Sequence, residues 1–219
     1  MIDPLQPAPR ERISFDQGDV VFLCEGMDDC ALVAHLTKRW ARPPKVGTRP
    51  PDSRWSWDRE FADLAKQVIA RKISAVGFVF DAEQSRGERL NRLRSWYAAA
   101  NFTMPSQESQ LAVSGLAEGV SVRTGYILIP PDAETGSLED LFLPQVAASP
   151  IASCIDDLLR CYSDREPSRE SESKLRLRTF LAHKNAYNTG LNVALRDGHV
   201  TCEGPEFAPL LAFVHLFGS

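Results

Sequence analysis

Three stretches of the chain are almost continuously apolar and rich in β-branched or aromatic residues. They are DVVFLC at 19–24, ISAVGFVF at 73–80 and GYILIP at 125–130. A short apolar run without alternation is typical of a strand that is covered on both faces, as strands of parallel sheets are. The pattern therefore predicts three inner strands of a parallel sheet.

Apolar residues between and after these strands recur at helical spacing, which predicts helices. The stripes are Leu32, Val33, Leu36 and Trp40; Phe61, Leu64, Ala65, Val68 and Ile69; Leu90, Leu93 and Tyr97; and Ile151, Ile155, Leu158, Leu159 and Tyr162. KLRLRTFLAHK at 174–184 and PEFAPLLAFVHLF at 205–217 predict two more helices. The strand content of KVGTRPPDSRWSW at 45–57 stays open, and 101–119 is predicted to be loop with at most one short element.

Strands that alternate with helices need crossover connections, which favour a doubly wound, mainly parallel α/β sheet. The proline-rich and charged residues 1–17 are predicted to form an N-terminal arm. The sheet and its crossover helices occupy 18–145. Residues 146–219 are predicted to be a helical extension packed on that core.

Composition narrows the function only slightly. The 219 residues carry 25 basic and 29 acidic side chains, a formal charge of −4, so no global positive field indicates nucleic acid and any such contact needs a local patch. No segment has the apolar length of a signal peptide or a membrane span. We therefore expect a cytoplasmic protein without membrane contact.

Carboxylates follow all three predicted strands. Glu25 comes directly after the first, Asp81 and Glu83 after the second, and an acidic group between 132 and 140 after the third. Taken singly, Asp29 could cap a helix, Asp81 could end a strand in a turn, and Glu139 could start a helix. Together they lie at the edge where parallel strands deliver ligand-binding groups, and clustered oxygen ligands suit Mg²⁺ or Mn²⁺.

These motifs resemble a known family. VVFLCEGMDD at 20–29, followed by VGFVFDAE at 76–83, resembles the Toprim domain of topoisomerases, bacterial primases, OLD-type nucleases and a small ribosomal-RNA maturase. GYILIPPDAETGSLEDLFLP at 125–144 resembles a group of stand-alone Toprim-like proteins. The resemblance covers roughly residues 18 to 145 and implies a Toprim-like fold.

The resemblance implies a role for each acid. Glu25 matches the family's strand-end glutamate, a metal ligand or general acid/base, and Asp29 matches the acid four places later. Asp81 matches the first acid of Asp-x-Asp and is the expected principal metal ligand. Glu83 stands where the family has the second aspartate. Glu139 and Asp140 resemble the later acids that help to hold a second ion in OLD-type nucleases.

Basic residues near these acids complete the predicted site. Lys174 or Lys184 is expected to supply the charge that stabilises a pentacovalent phosphate, and we take Lys174 as the catalytic candidate. Arg86, Arg89 and Arg92 follow the Asp81 motif and are predicted to bind nucleic-acid phosphates. The alternative for such arginines is the solvated face of a helix.

The sequence therefore predicts a Mg²⁺- or Mn²⁺-dependent nuclease, or a related phosphodiester-processing enzyme, acting on DNA or RNA. Genome maintenance and anti-phage defence are the expected settings. The alternative is a Toprim-like binding module or defence-system subunit that acts only with a partner, with an ATPase as the candidate partner. A phosphoacceptor receiver domain also places acids after strands, but Glu25-Gly26 argues against it.

Overall fold

The apolar runs form the inner strands of a five-stranded sheet in a computed structural model, which describes residues 19–48, 56–71, 73–163, 171–184 and 190–218. The strands are β1 Val20–Cys24, β2 Lys45–Thr48, β3 Ala75–Asp81, β4 Leu111–Gly115 and β5 Ser121–Ile129. Their order is β2-β1-β3-β5-β4. All neighbours pair in parallel except β4, which runs antiparallel to β5 at one edge.

Helices connect and follow these strands. They are α1 Met27–Thr37, α2 Trp57–Arg71, α3 Arg86–Ala99, α4 Leu143–Ala147, α5 Ala152–Ser163, α6 Glu172–His183, α7 Leu191–Arg196 and α8 Ala208–His215. Short 3-10 helices span Ala117–Gly119, Leu138–Phe142 and Pro205–Phe207. Among the described residues, no helix has the length and apolar character needed to cross a membrane.

Side chains of each inner strand alternate between two hydrophobic layers, as the pleat of a strand requires. Val21 and Leu23 of β1 face a layer that contains α2 and α3. Phe22 and Cys24 face the opposite layer, which contains α1 and the helices near the carboxyl terminus. The prediction of a mainly parallel α/β sheet with helices on both faces is confirmed.

The helices after residue 145 share a hydrophobic cluster with the sheet. The ring of Phe22 lies 6.3 Å from the ring of Phe213 and 4.9 Å from that of Phe217. Asp28, in the first turn of α1, also accepts a hydrogen bond from the Leu191 backbone N–H at 3.2 Å. The described part of the extension thus covers one face of the sheet, while the predicted boundary at 145 stays a prediction.

The structure completes or corrects several local predictions. Residues 111–115, within the stretch predicted to be loop with at most one short element, form the edge strand β4, and α7 had not been predicted. The short segment of β2, left open by its sequence, is a strand that pairs with β1. The predicted stripe on α5 is wrong in part, because Leu158 and Tyr162 are exposed. The predicted arm at 1–17 lies outside the described residues.

Candidate functional site

Three strand ends bring carboxylates to one edge of the sheet. Glu25 follows β1, and its N–H donates to the carbonyl of Val79 in β3 at 3.1 Å. The backbone N–H of Asp81, the last residue of β3, donates to Oε2 of Glu25 at 3.2 Å. Oδ1 of Asp81 in turn accepts a hydrogen bond from the Leu138 N–H at 2.9 Å. Glu25 and Asp81 are therefore held against each other and against the turn after β5.

Asp29, a third carboxylate near Glu25 and Asp81, has a side-chain oxygen without a hydrogen-bond partner. Its Oδ2 accepts a hydrogen bond from the Gly26 N–H at 2.8 Å and so caps the start of α1. Its Oδ1 is buried without a hydrogen-bond partner, and the residue as a whole is only 4% exposed. Because a buried acceptor without a partner costs free energy, this oxygen is a place where a cation would be stabilising.

The electrostatics of the carboxylates also favour a bound cation. Burial, together with the charges of Asp29, Glu25 and Glu139, raises the pKa of Asp81 from its ordinary 3.8 to about 9. Burial also raises the pKa of Asp29 well above its usual range, and the charges of Glu25 and Glu139 add to that rise. For Glu25, burial raises the pKa and the nearby Arg89 opposes the rise. A bound cation would favour the ionised form of all three.

A buried arginine neutralises the other side of the edge. Nη2 of Arg89 lies 3.0 Å from the carboxylate of Glu25 and 2.6 Å from Oε1 of Glu83. The Arg89 side chain is 3% exposed, and its guanidinium carbon lies 5.9 Å from the ring centroid of Phe80. Nη1 of Arg92 is 3.9 Å from the second oxygen of Glu83. Glu83 thus faces arginines.

Backbone geometry fixes Glu83 in this position. Its φ of 55° lies in the left-handed region, which a non-glycine residue adopts only where neighbouring structure holds it. A pair of backbone hydrogen bonds with Gly136, 2.8 and 2.9 Å long, provides that hold. Gly136 itself has a φ of 133°, and a Cβ there would lie 2.7 Å from Oδ2 of Asp140. Only glycine fits this contact without strain.

The turn after β5 and the start of α6 supply the last part of the site. Oε2 of Glu139 accepts a hydrogen bond from the Ser137 hydroxyl at 2.9 Å, and its Oε1 lies 4.0 Å from Nζ of Lys174. Asp140 uses one carboxylate oxygen to accept the Ser137 N–H at 2.8 Å and the other to accept the hydroxyl of Ser173. Glu139 and Lys174 therefore lie together, whereas Asp140 links α6 to the turn through its two hydrogen bonds.

Comparison with known proteins places this chain in a family. A family model described as "Protein of unknown function (DUF3226)" matches residues 19–217, which is nearly the whole chain. The chain belongs to the DUF3226 family. No curated protein and no solved structure matches it.

In this DUF3226 chain, the acids predicted as metal ligands divide into two groups. The charge of Glu139 helps to raise the pKa of both Asp29 and Asp81, and Glu25 contacts both Arg89 and the Asp81 backbone. Glu83 faces Arg89 and Arg92 instead, and Asp140 holds a capping position.

Within the described ranges, no three His, Cys, Asp or Glu side chains already form an arrangement able to hold an ion. The proposed roles of all these acids stay predictions.

The predicted phosphate-binding arginines have different surroundings. Arg86 forms an ion pair with Glu108 at 2.6 Å and donates to the carbonyl oxygens of Pro130 and Ala133 at 3.0 and 2.7 Å. Arg89 is buried as described above. Arg92, with a side chain 58% exposed, is the one of the three that solvent reaches readily. Of the two candidate lysines, Lys174 lies beside Glu139, whereas Nζ of Lys184 lies 5.6 Å from the ring centroid of Phe180.

Sequence reasoning missed Arg89 as the partner of Glu25 and Glu83. A signal for its burial was present, because Arg89 lies four residues before Leu93 and seven before Trp96, and both are buried. That spacing puts Arg89 on the core face of α3. No such signal marked Ser137 or Ser173. Ser137 lies in a turn and donates to Glu139, and Ser173 donates to Asp140, which is 33 positions away in the sequence.

Proposed function

We propose that this chain is a Mg²⁺- or Mn²⁺-dependent nuclease, or a related phosphodiester-processing enzyme, built on a Toprim-like core. The observation that carries the proposal is the buried Oδ1 of Asp29, which lacks a partner beside an Asp81 whose pKa is raised to about 9. Both features cost free energy in the absence of a cation and are relieved when one binds. Oxygen ligands from carboxylates are what Mg²⁺ and Mn²⁺ prefer.

The residues that would hold the cation are Asp29, Asp81, Glu25 and Glu139. When bound, a divalent cation supplies charge neutralisation at the phosphate and lowers the pKa of an attacking water. Hydrogen bonds within the chain already orient two of these carboxylates. The Leu138 N–H fixes the orientation of the Asp81 carboxylate, and the Asp81 N–H fixes that of Glu25. Orientation of this kind reduces the reorganisation needed during reaction.

One exposed and one partly exposed cation lie beside the acidic edge and suit a phosphate backbone. Lys174, 40% exposed, lies on the side of Glu139, and its ammonium group could contact a phosphate that approaches from solvent. Arg92 lies on the side of Glu83. Because DNA and RNA are recognised largely through their phosphates, a strand that crosses the edge between these side chains would gain favourable contacts. Nucleic acid is therefore the proposed substrate class.

The arrangement of motifs also supports the Toprim-like assignment. A strand-end Glu-Gly on β1 neighbours a strand-end Asp-x-Glu on β3, and β3 pairs directly with β1. In open parallel sheets, ligands bind beyond the carboxyl ends of the strands, which is where these acids lie. Genome maintenance or anti-phage defence is the proposed setting.

The proposal is tested by incubating the purified protein with Mg²⁺ or Mn²⁺ and a panel of substrates: supercoiled DNA, single-stranded DNA, structured RNA and tRNA. We expect cleavage of at least one substrate and its loss in Asp81→Asn. The matched control is Asp63→Asn, which removes an exposed carboxylate of α2 that pairs with Lys66. Equal cleavage by the parent protein and Asp81→Asn would refute the assigned catalytic role.

A second candidate is a Toprim-like module that acts only with a partner protein, such as an ATPase. The observation that favours it is Arg89, whose guanidinium already neutralises carboxylates at the positions that the family resemblance assigns to metal. The same panel, repeated with cellular extract, separates the two. Cleavage that requires extract supports the partner-dependent module, and cleavage by the purified chain supports the self-sufficient enzyme.

A further inference from the structure

We infer that Arg89 serves as a permanent cation in one half of the acidic edge, so that the edge takes one divalent ion rather than two. The inference rests on the proposed metal site and says how many ions that site holds. Its basis is contact: the Arg89 guanidinium lies 3.0 Å from Glu25 and 2.6 Å from Glu83. Because Arg89 engages both carboxylates, neither is free to bind a second ion on this side of the edge.

Arg89 cannot easily vacate this position or lose its charge. Its side chain is buried between the edge and the ring of Phe80, and it lies on the core face of α3 one turn before Leu93. A guanidinium stays protonated at any pH that a folded protein tolerates. A divalent cation beside Glu25 and Glu83 would therefore meet a fixed positive charge in a partly dehydrated place, where repulsion between like charges is strong.

The other half of the edge has no such buried cation among the described residues. Asp29 has an unpartnered, buried oxygen there, and the carboxyl groups of Asp81 and Glu139 lie near enough to interact with the Asp29 side chain or with each other. A basic group described there is Lys174, whose Nζ lies 4.0 Å from Glu139 on a partly exposed side chain that can move into solvent. One divalent ion suits this half, with Glu25 at the border between the two.

Arg89 is thus a positioning residue. Buried beneath Glu25 and Glu83, it orients the Glu25 carboxylate, which also accepts the Asp81 N–H. Glu83, which stands where the Toprim resemblance expects an aspartate ligand, is engaged by arginines and is not needed for the single ion. This contact also accounts for a glutamate rather than an aspartate at position 83, because the longer side chain reaches the Arg89 guanidinium.

The test counts bound ions without relying on activity. Bound Mn²⁺ is quantified by the loss of the electron paramagnetic resonance signal of free Mn²⁺, with isothermal titration calorimetry as a second measurement. We expect one Mn²⁺ per chain in the parent and two in Arg89→Gln, because Glu25 and Glu83 become free to bind the second. The matched control Arg92→Gln removes an exposed guanidinium at the same carboxylate and should keep a single ion.

Glu83→Gln gives an independent test should Arg89→Gln fail to fold. We expect Glu83→Gln to bind one Mn²⁺ as the parent does, because Glu83 is not a ligand of that ion. Two ions in the parent, one ion in a folded Arg89→Gln, or loss of the single ion in Glu83→Gln would each overturn the inference while leaving the metal site standing. No Mn²⁺ in the parent would instead refute the proposed site itself.

Discussion

The carboxylate of Asp81 accepts a hydrogen bond from the backbone N–H of Leu138 at 2.9 Å, across 57 positions of the chain. This contact joins the end of β3 to the first residue of the 3-10 helix Leu138–Phe142, which follows the turn after β5. Asp81 thus has a structural task as well as a proposed role as metal ligand. Any test of its chemistry must preserve the acceptor oxygen.

Asp81→Asn preserves that oxygen and removes the charge. We expect the variant to fold and to lose the Mn²⁺-induced rise in melting temperature. For the parent, Mn²⁺ at about 100 times its dissociation constant should stabilise the fold by about 2.7 kcal/mol, a rise of about 5–10 °C. Differential scanning calorimetry measures both. A variant that responds to Mn²⁺ as the parent does would exclude Asp81 as a ligand.

The metal-free protein should become less stable as pH rises, relative to Asp81→Asn. A carboxyl whose pKa is raised on folding, here from 3.8 to about 9, binds its proton more tightly in the folded state. Its stabilising contribution is complete below pH about 4 and is lost as pH rises through about 9. We expect the variant's advantage to grow across this window by less than about 1.4 kcal/mol per pH unit.

The measurement is urea unfolding of both proteins in chelator between pH 5 and 9. The difference between the two free energies of unfolding cancels the contributions of titrating groups that do not interact with Asp81. An advantage of Asp81→Asn that shrinks towards high pH would contradict the burial and repulsion that raise the pKa of Asp81.

Arg89→Gln should destabilise the metal-free protein by about 2 kcal/mol. Removing one partner of a fully buried ion pair costs about 3–5 kcal/mol, and partial exposure of Glu25 and Glu83 reduces this figure. Arg92→Gln, at an exposed position, should change stability by less than about 0.5 kcal/mol. Unfolding in chelator measures both, and equal effects would mean that the Arg89 contacts contribute no more than a surface pair.

Lys174→Gln should lower cleavage more than Lys184→Gln does. Lys174 lies beside Glu139, whereas Lys184 lies at the far end of α6 over the ring of Phe180. Loss of one cation that stabilises phosphate charge is expected to reduce the rate by about 10²–10³-fold. Single-turnover cleavage assays on the most responsive substrate provide the comparison. A larger loss in Lys184→Gln would assign the role to the other lysine.

Gly77→Ala should destabilise the fold by about 1–3 kcal/mol through overpacking. A Cβ at Gly77 would lie 2.4 Å from Cε1 of Phe22 and 3.2 Å from the ring of Phe217, where the extension meets the sheet. Gly115→Ala is the matched control, because a Cβ there has nothing within 4 Å. Chemical denaturation distinguishes them. Equal stability of the two variants would show that Phe22 repacks without cost.

Local patterns of the sequence determined much of the fold. Continuous apolar runs predicted β1, β3 and β5, because inner strands of a parallel sheet are buried on both faces and leave no polar alternation. The sequence left the edge strands β2 and β4 undecided, because an edge strand is short and half covered, so its sequence resembles that of a loop. Convergence of Glu25 and Asp81 could be predicted because parallel strands deliver their carboxyl ends to one edge.

Only the tertiary structure decided how the acids divide. The sequence put Glu25, Asp81 and Glu83 in one predicted metal site, whereas packing places Arg89 against two of them and leaves Asp29 with an unpartnered oxygen. Contacts of this kind join residues 64 positions apart, as between Arg89 and Glu25. Periodicity reports which face of an element is buried, but the partner that a buried charge meets depends on how separate elements pack, and no local pattern encodes that distance.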